Sequence, residues 1–209
     1  MATEPKRTAS KTTAAAAVIG CCVAFTPLWE GYQPVAAPDA IGTGHPVTYC
    51  YGQTDEFGAV KVGQRFNRQE CAAKLAESLP KYLDQVEPCV HVALPIKTMA
   101  ALVDAAYNAG PAAVCRSPMV AKMNAGDLAG GCNAFSGWHI RGDGKVLPGL
   151  IARRGGRPGD ARKSERALCL EGVAEGLPPP PAPAPEPKGF WADLISTLLE
   201  TLLNLLEGK

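Results

Sequence analysis

Neither charge sign predominates in this chain: 21 Lys and Arg stand against 20 Asp and Glu, a net charge of +1. The basic residues are not gathered into one run, so no patch grips phosphates by counterion release, and nucleic-acid binding is excluded as a leading function. Histidine is scarce as well. His45, His91 and His139 are scattered without ligands at metal spacing and no C-x-x-C pair occurs, so no metal and no cofactor are expected. A long apolar run is also lacking. The uncharged stretch from Thr12 to Trp29 would make about 27 Å of helix, short of a bilayer core of about 30 Å, and alanines, Gly20 and threonines dilute it further.

Cysteine, by contrast, is plentiful: eight in 209 residues, more than a reducing cytoplasm explains. Disulfides in an oxidising compartment are expected, with a connectivity that spacing does not choose. Export fits the N-terminus, where Lys6, Arg7 and Lys11 precede the uncharged stretch. No A-x-A site lies between Gly20 and Trp29, which favours an uncleaved signal-anchor over residues 1–27. A cleaved signal peptide, or a lipoprotein signal with Cys21 lipidated, are the other readings.

Residues 28–176 read as one domain of the α+β class, mainly α, with a small β segment near its start. The β signal is Val47 to Tyr51, with Val60 to Val62 as its expected partner. Asn67 to Glu70 has the form of a capping box, and Leu75, Leu79, Tyr82, Leu83 and Val86 then recur at helical spacing. Ile96, Met99, Leu102, Val103, Ala106 and Tyr107 make the next stripe, read as the core helix and closed near Gly110. Shorter helices are expected around Met119–Met123, Leu128–Trp138 and Arg162–Leu170. Prolines from Pro178 onward mark residues 177–188 as an extended spacer. Residues 189–209 then form an amphipathic helix whose polar side carries Asp193, Glu200 and Glu207 and no base, suited to self-association or membrane contact.

Two acids, Glu30 and Asp39, stand nine residues apart with only uncharged residues between them. Glycoside hydrolysis needs one carboxylic acid to protonate the leaving oxygen and one carboxylate on the other side of the sugar. Spacing alone equally fits two solvated surface acids.

The ordered set of motifs says more. Glu30-Gly31, Asp39, then Thr48-Tyr49-Cys50-Tyr51-Gly52 resembles the active-site signature of glycoside hydrolase family 24, the family of T-even phage lysozyme and lambdoid-phage endolysins. Tyr107-Asn108-Ala109-Gly110, Asn124-Ala125-Gly126-Asp127, Pro148-Gly149-Leu150 with Arg153-Arg154, and Glu165-Arg166-Ala167-Leu168-Cys169 match in the same order. The resemblance implies a lysozyme-like fold and a muramidase that cleaves the β-1,4 bond between N-acetylmuramic acid and N-acetylglucosamine in peptidoglycan. It implies Glu30 as general acid, Asp39 as the carboxylate beside the attacking water, Thr48 as a hydroxyl holding that water, and inversion at the anomeric carbon. Gln53, where the family has His, and Asn108 are implied to line the saccharide cleft. The Asp39-to-Thr48 segment is about three residues longer than usual, and residues 155–161 are an insertion.

The N-terminal segment resembles that of signal-anchor-release endolysins, held in the host inner membrane on its periplasmic side and then released to the periplasm. Glu30 directly follows that segment, so the embedded form is expected to be inactive. Cys21 and Cys22, with Cys50 beyond Thr48, suggest a thiol that exchanges into a bridge near the site on release. A catalytically inactive peptidoglycan-binding protein on the same fold, or an envelope lipoprotein lysozyme, are the alternatives.

Overall fold

The computed structural model describes residues 5–39, 46–142 and 144–177. The chain divides into two units, Met1–Pro178 and Pro179–Lys209. The proline spacer from Pro178 and the amphipathic helix expected after it lie outside the described residues.

The N-terminal segment is helix α1, Pro5–Phe25, followed by a 3-10 turn over Thr26–Leu28. Among the described residues no helix is long and apolar enough to cross a membrane. Ala15, Val18, Cys22 and Phe25 recur at steps of three and four, and this stripe packs into the same core as the rest of the domain. Val18, Cys22 and Phe25 are buried there, against α2 and α3.

Helix α2, Arg68–Val86, begins at a true capping box: the Glu70 N–H donates to Asn67 Oδ1 at 2.9 Å, and the Asn67 N–H donates to Glu70 Oε2 at 2.7 Å. Its apolar face, Leu75, Leu79, Leu83 and Val86, is buried. Helix α3, Ile96–Ala109, is the central one, touched by α1, α2, by α4 (Pro111–Cys115) and by α8 (Glu165–Glu175). Small residues let neighbours approach closely: Ala100, Ala101, Ala105 and Ala106 are all fully buried, as are Leu102 and Val103. Helices α5 (Pro118–Asn124), α6 (Leu128–Asn133) and α7 (Pro148–Gly155) complete the helical lobe, and Met119 and Met123 are core residues.

The β part differs from expectation. Strand β2, Val47–Cys50, lies between β1, Gln33–Pro38, and β3, Gln53–Thr54, all antiparallel. Val60 to Val62 forms no strand; the place at the edge is taken by β1 instead. β1 is the last strand of the sheet and is bridged on its outer side by residues 63–66, where the Ala36 N–H donates to the Gln64 carbonyl and the Pro34 carbonyl accepts the Phe66 N–H; Pro34 and Pro38 sit on this irregular edge. A further two-stranded ribbon joins β4, Arg141–Gly142, to β5, Lys145–Val146.

Three disulfides staple these parts. Cys50–Cys71 ties β2 to α2, Cys89–Cys115 ties the turn after α2 to α4, and Cys132–Cys169 ties α6 to α8. Cys21 and Cys22 carry free thiols, and the Cys22 thiol is buried, donating to the Ala100 carbonyl at 3.5 Å. Cys50, expected as the exchange partner, is here bonded to Cys71. With 21 residues of separation, replacing Cys50 and Cys71 by Ser is expected to cost about 3 kcal/mol, read as a lower urea midpoint. An unchanged midpoint would mean that the bridge adds nothing.

Candidate active site

Three elements converge on one cleft. The chain leaves α1 through the Thr26–Leu28 turn, where the N–H of Glu30 donates to the Thr26 carbonyl at 3.1 Å, and this sets Glu30 at the base of the helical lobe. Strand β1 then runs out to Asp39, whose N–H donates to the Pro46 carbonyl at 2.8 Å. Strand β2 returns with Thr48 opposite Ala37, and its hydroxyl donates to the Ala37 carbonyl at 3.5 Å. Residues 40–45, the lengthened part of this hairpin, lie outside the described residues. Glu30, Asp39 and Thr48 line one cavity of about 720 Å³, together with Tyr32, Gln33, Gly52 and Thr54 among others.

Gly52 sits beside the acid. Its φ of +86° suits glycine, and a Cβ there would lie 3.8 Å from Glu30 Oε2 and 3.9 Å from the Tyr107 hydroxyl. A side chain would be strained by that backbone conformation, while its Cβ would make only ordinary van der Waals contact with the carboxyl. The two other residues expected in the cleft differ from this trio. Strand alternation turns Thr54 into the cavity and Gln53 beneath the sheet, where Gln53 is buried and its Oε1 accepts the Tyr51 N–H at 2.8 Å. Asn108 is exposed at the end of α3, and its Oδ1 accepts from Arg154 Nη2 at 2.6 Å.

Behind Glu30 lies a buried charge network whose partners are far apart in the sequence. Arg153 Nη1 donates to Glu30 Oε1, its Nη2 to Asp104 Oδ2 at 3.0 Å, and its Nε to Glu165 Oε1 at 3.0 Å. Arg154 donates to the same Glu165 oxygen and stacks over the Trp138 ring at 5.0 Å. Asp104, Arg154 and Glu165 have no exposed side-chain surface, whereas Glu30 keeps 22%. The cation thus serves three acids, and only one of them reaches the cleft. Two signals in the sequence pointed here: Asp104 is a lone acid inside the apolar run of α3, and Arg153-Arg154 is a charged pair in a short helix.

Burial works to lower the Arg153 pKa, but Asp104, Glu30 and Glu165 in turn outweigh it and hold the guanidinium firmly protonated. Burial raises the Tyr107 hydroxyl, with the Glu30 charge adding to it, so this phenol stays neutral beside the acid and donates to the Tyr51 carbonyl at 2.7 Å.

Glu165 is pushed up to about 8, first by burial and then by Asp104, against the pull of two arginines. A proton there suits its Oε2, which is buried with no hydrogen-bond partner. An acid whose folded pKa is raised binds its proton more tightly when folded. Its contribution to stability is full below its ordinary 4.5 and drains away as pH climbs to about 8. The urea midpoint is therefore expected to fall between pH 5 and pH 8, and Glu165→Gln to flatten that fall. A slope untouched by the substitution would refute this assignment.

Comparison with known proteins fits the cleft. Residues 27–157 match the model of the phage lysozyme family. The chain belongs to the phage lysozyme family. It is an endolysin-type muramidase, a glycoside hydrolase whose substrate is peptidoglycan. The SAR-endolysin of Bacteriophage PS119 is 32% identical over 143 residues, 68% of this chain and 77% of that protein. The muramidase domain of SpmX from Asticaccaulis excentricus superposes with a TM-score of 0.58 at 26% identity, covering 71% of this chain and 94% of that one. A P22 lysozyme mutant, at 23% identity and a TM-score of 0.59 over 71% of this chain and 94% of its own, shares the lysozyme-like fold. The expected family, fold class and enzyme class are thus borne out.

Proposed function

We propose that Glu30 protonates the glycosidic oxygen of the β-1,4 bond between N-acetylmuramic acid and N-acetylglucosamine, while Asp39 and Thr48 orient the attacking water. The observation that carries this reading is that an acid from the helical lobe and a carboxylate and hydroxyl from the hairpin line one open cavity. A single displacement needs room for water between two carboxyl groups, and the cavity's two-sided construction supports it. Glu30 gives its proton to the departing oxygen, Asp39 takes one from the water, and the product forms with inverted configuration.

Digestion of purified peptidoglycan by the full chain tests this. New N-acetylmuramic-acid reducing ends are expected, appearing first as the α anomer in proton NMR. N-acetylglucosamine ends, anhydro-sugar ends or an initial β anomer would overturn it.

α1 also acts, in this reading, as a removable anchor in the host inner membrane, with the catalytic domain on the periplasmic side until release. Its diluted apolar composition supports weak membrane binding, and its Ala15–Phe25 stripe has an alternative partner in α3. The SAR-endolysin relatives support the same view. Fractionation of expressing cells should find the chain in the membrane, and in the soluble periplasm once the membrane potential is collapsed. A chain that is soluble throughout would remove the anchor.

A further inference from the structure

Thr26 is fully buried between the last turn of α1 and Glu30. Its carbonyl accepts the N–H groups of Trp29 and Glu30, at 3.0 and 3.1 Å. Its hydroxyl crosses to α3 and donates to Asp104 Oδ1 at 2.7 Å. The second Asp104 oxygen accepts from Arg153, and Arg153 in turn donates to the Glu30 carboxyl. The circuit closes on itself: Thr26 holds the backbone of Glu30 directly and its carboxyl through two intermediaries.

We propose that Thr26 and Asp104 are positioning residues of the cleavage, aligning the Glu30 carboxyl through Arg153 only when α1 is seated on α3. This rests on the reading of Glu30 as the acid.

Three acid side chains compete for Arg153, Glu30 in the cleft, Asp104 on α3 and Glu165 on α8, and Arg154 also donates to the last of these. A guanidinium has five donors in one rigid plane, so the oxygens left open to it decide where that plane lies. With Oδ1 occupied by Thr26, Asp104 offers Arg153 its Oδ2. Without the hydroxyl the buried Oδ1 loses its donor, and Arg153, already bonded to the Oδ2 of the same carboxyl, is drawn towards it and away from Glu30. One helical turn earlier on both helices, Cys22 donates to the Ala100 carbonyl in the same interface but has no link to the acid.

The test compares Thr26→Val, Thr26→Ser and Asp104→Asn in the full chain on soluble peptidoglycan strands, each first shown to be folded by circular dichroism. Thr26→Val and Asp104→Asn are expected to lose roughly 10- to 100-fold in kcat with KM within about twofold, the scale of a small misplacement of a reacting group. Thr26→Ser should restore kcat, and the double variant should lose no more than the worse single one. Cys22→Ala, which loosens the same interface, should lower the melting temperature and leave kcat alone. Full kcat in folded Thr26→Val, losses that multiply in the double variant, or an equal kcat loss in Cys22→Ala would each overturn the proposal. Should Thr26→Val not fold, Asp104→Asn and the Thr26→Ser comparison decide the matter alone. A Glu30→Gln variant run beside them separates the two ideas, since an active one overturns the acid assignment itself.

Discussion

Glu30→Gln should abolish cleavage with little effect on the fold. Glutamine keeps the length and shape of the side chain, and its carbonyl oxygen still accepts from Arg153, but it has no proton to give to the leaving oxygen. General-acid contributions run to about 10² to 10⁴-fold, so turbidity clearing and reducing-end release should fall by roughly a thousandfold or more. Stability should move far less, because Asp104 and Glu165 still face Arg153. Asp39→Asn should show a comparable loss through the water rather than the leaving group. A folded Glu30→Gln protein that keeps more than about a tenth of parental activity would sink the assignment, since no amide does this work.

Arg153→Met is expected to be the most destabilising single change. Its side chain is only 4% exposed and bonds Glu30, Asp104 and Glu165 at once. Methionine fills much of the volume and leaves all three acids without it, two of them fully buried. Removing one partner of a buried pair costs about 3 to 5 kcal/mol, which for a domain of this size lowers the melting temperature by roughly 10 °C. Arg153→Lys should recover only part of the loss, because one ammonium cannot serve three acid side chains in one plane. The Arg162–Asp160 pair is the contrast: Arg162 is 45% exposed, so solvent screens it and Arg162→Met should lower the melting temperature far less than Arg153→Met. Thermal denaturation of the three variants decides the matter, and a parent-like melting temperature for Arg153→Met would mean that the network is structurally idle.

Local signals proved readable and long-range pairings did not. The capping box at Asn67 and the stripes of α2 and α3 depend on residues three and four apart, so neighbours in sequence settle them. Val60 to Val62 has the β-branched composition of a strand, whereas Gln33–Pro38, with two prolines, reads as turn, so composition points away from the actual partner of Val47–Cys50. An edge position makes those prolines harmless, and being at an edge is a property of the sheet, not of the segment. The motif points Gln53 at the cleft, yet pleat alternation buries it and gives the cavity lining to Thr54. α1 reads as a membrane segment and also packs as a core helix, because a stripe of Ala, Val, Cys and Phe suits either surroundings.

The sequence by itself determined the starts of α2, α3 and α6, the family and its class of chemistry, each carried by short motifs in a given order. Only the tertiary structure decided which cysteines pair and which acids share Arg153, whose contact with Glu30 spans 123 residues of chain. The reason is physical: a buried charge is tolerable only where the fold brings it an opposite one, and such a partner bears no fixed relation to distance along the chain.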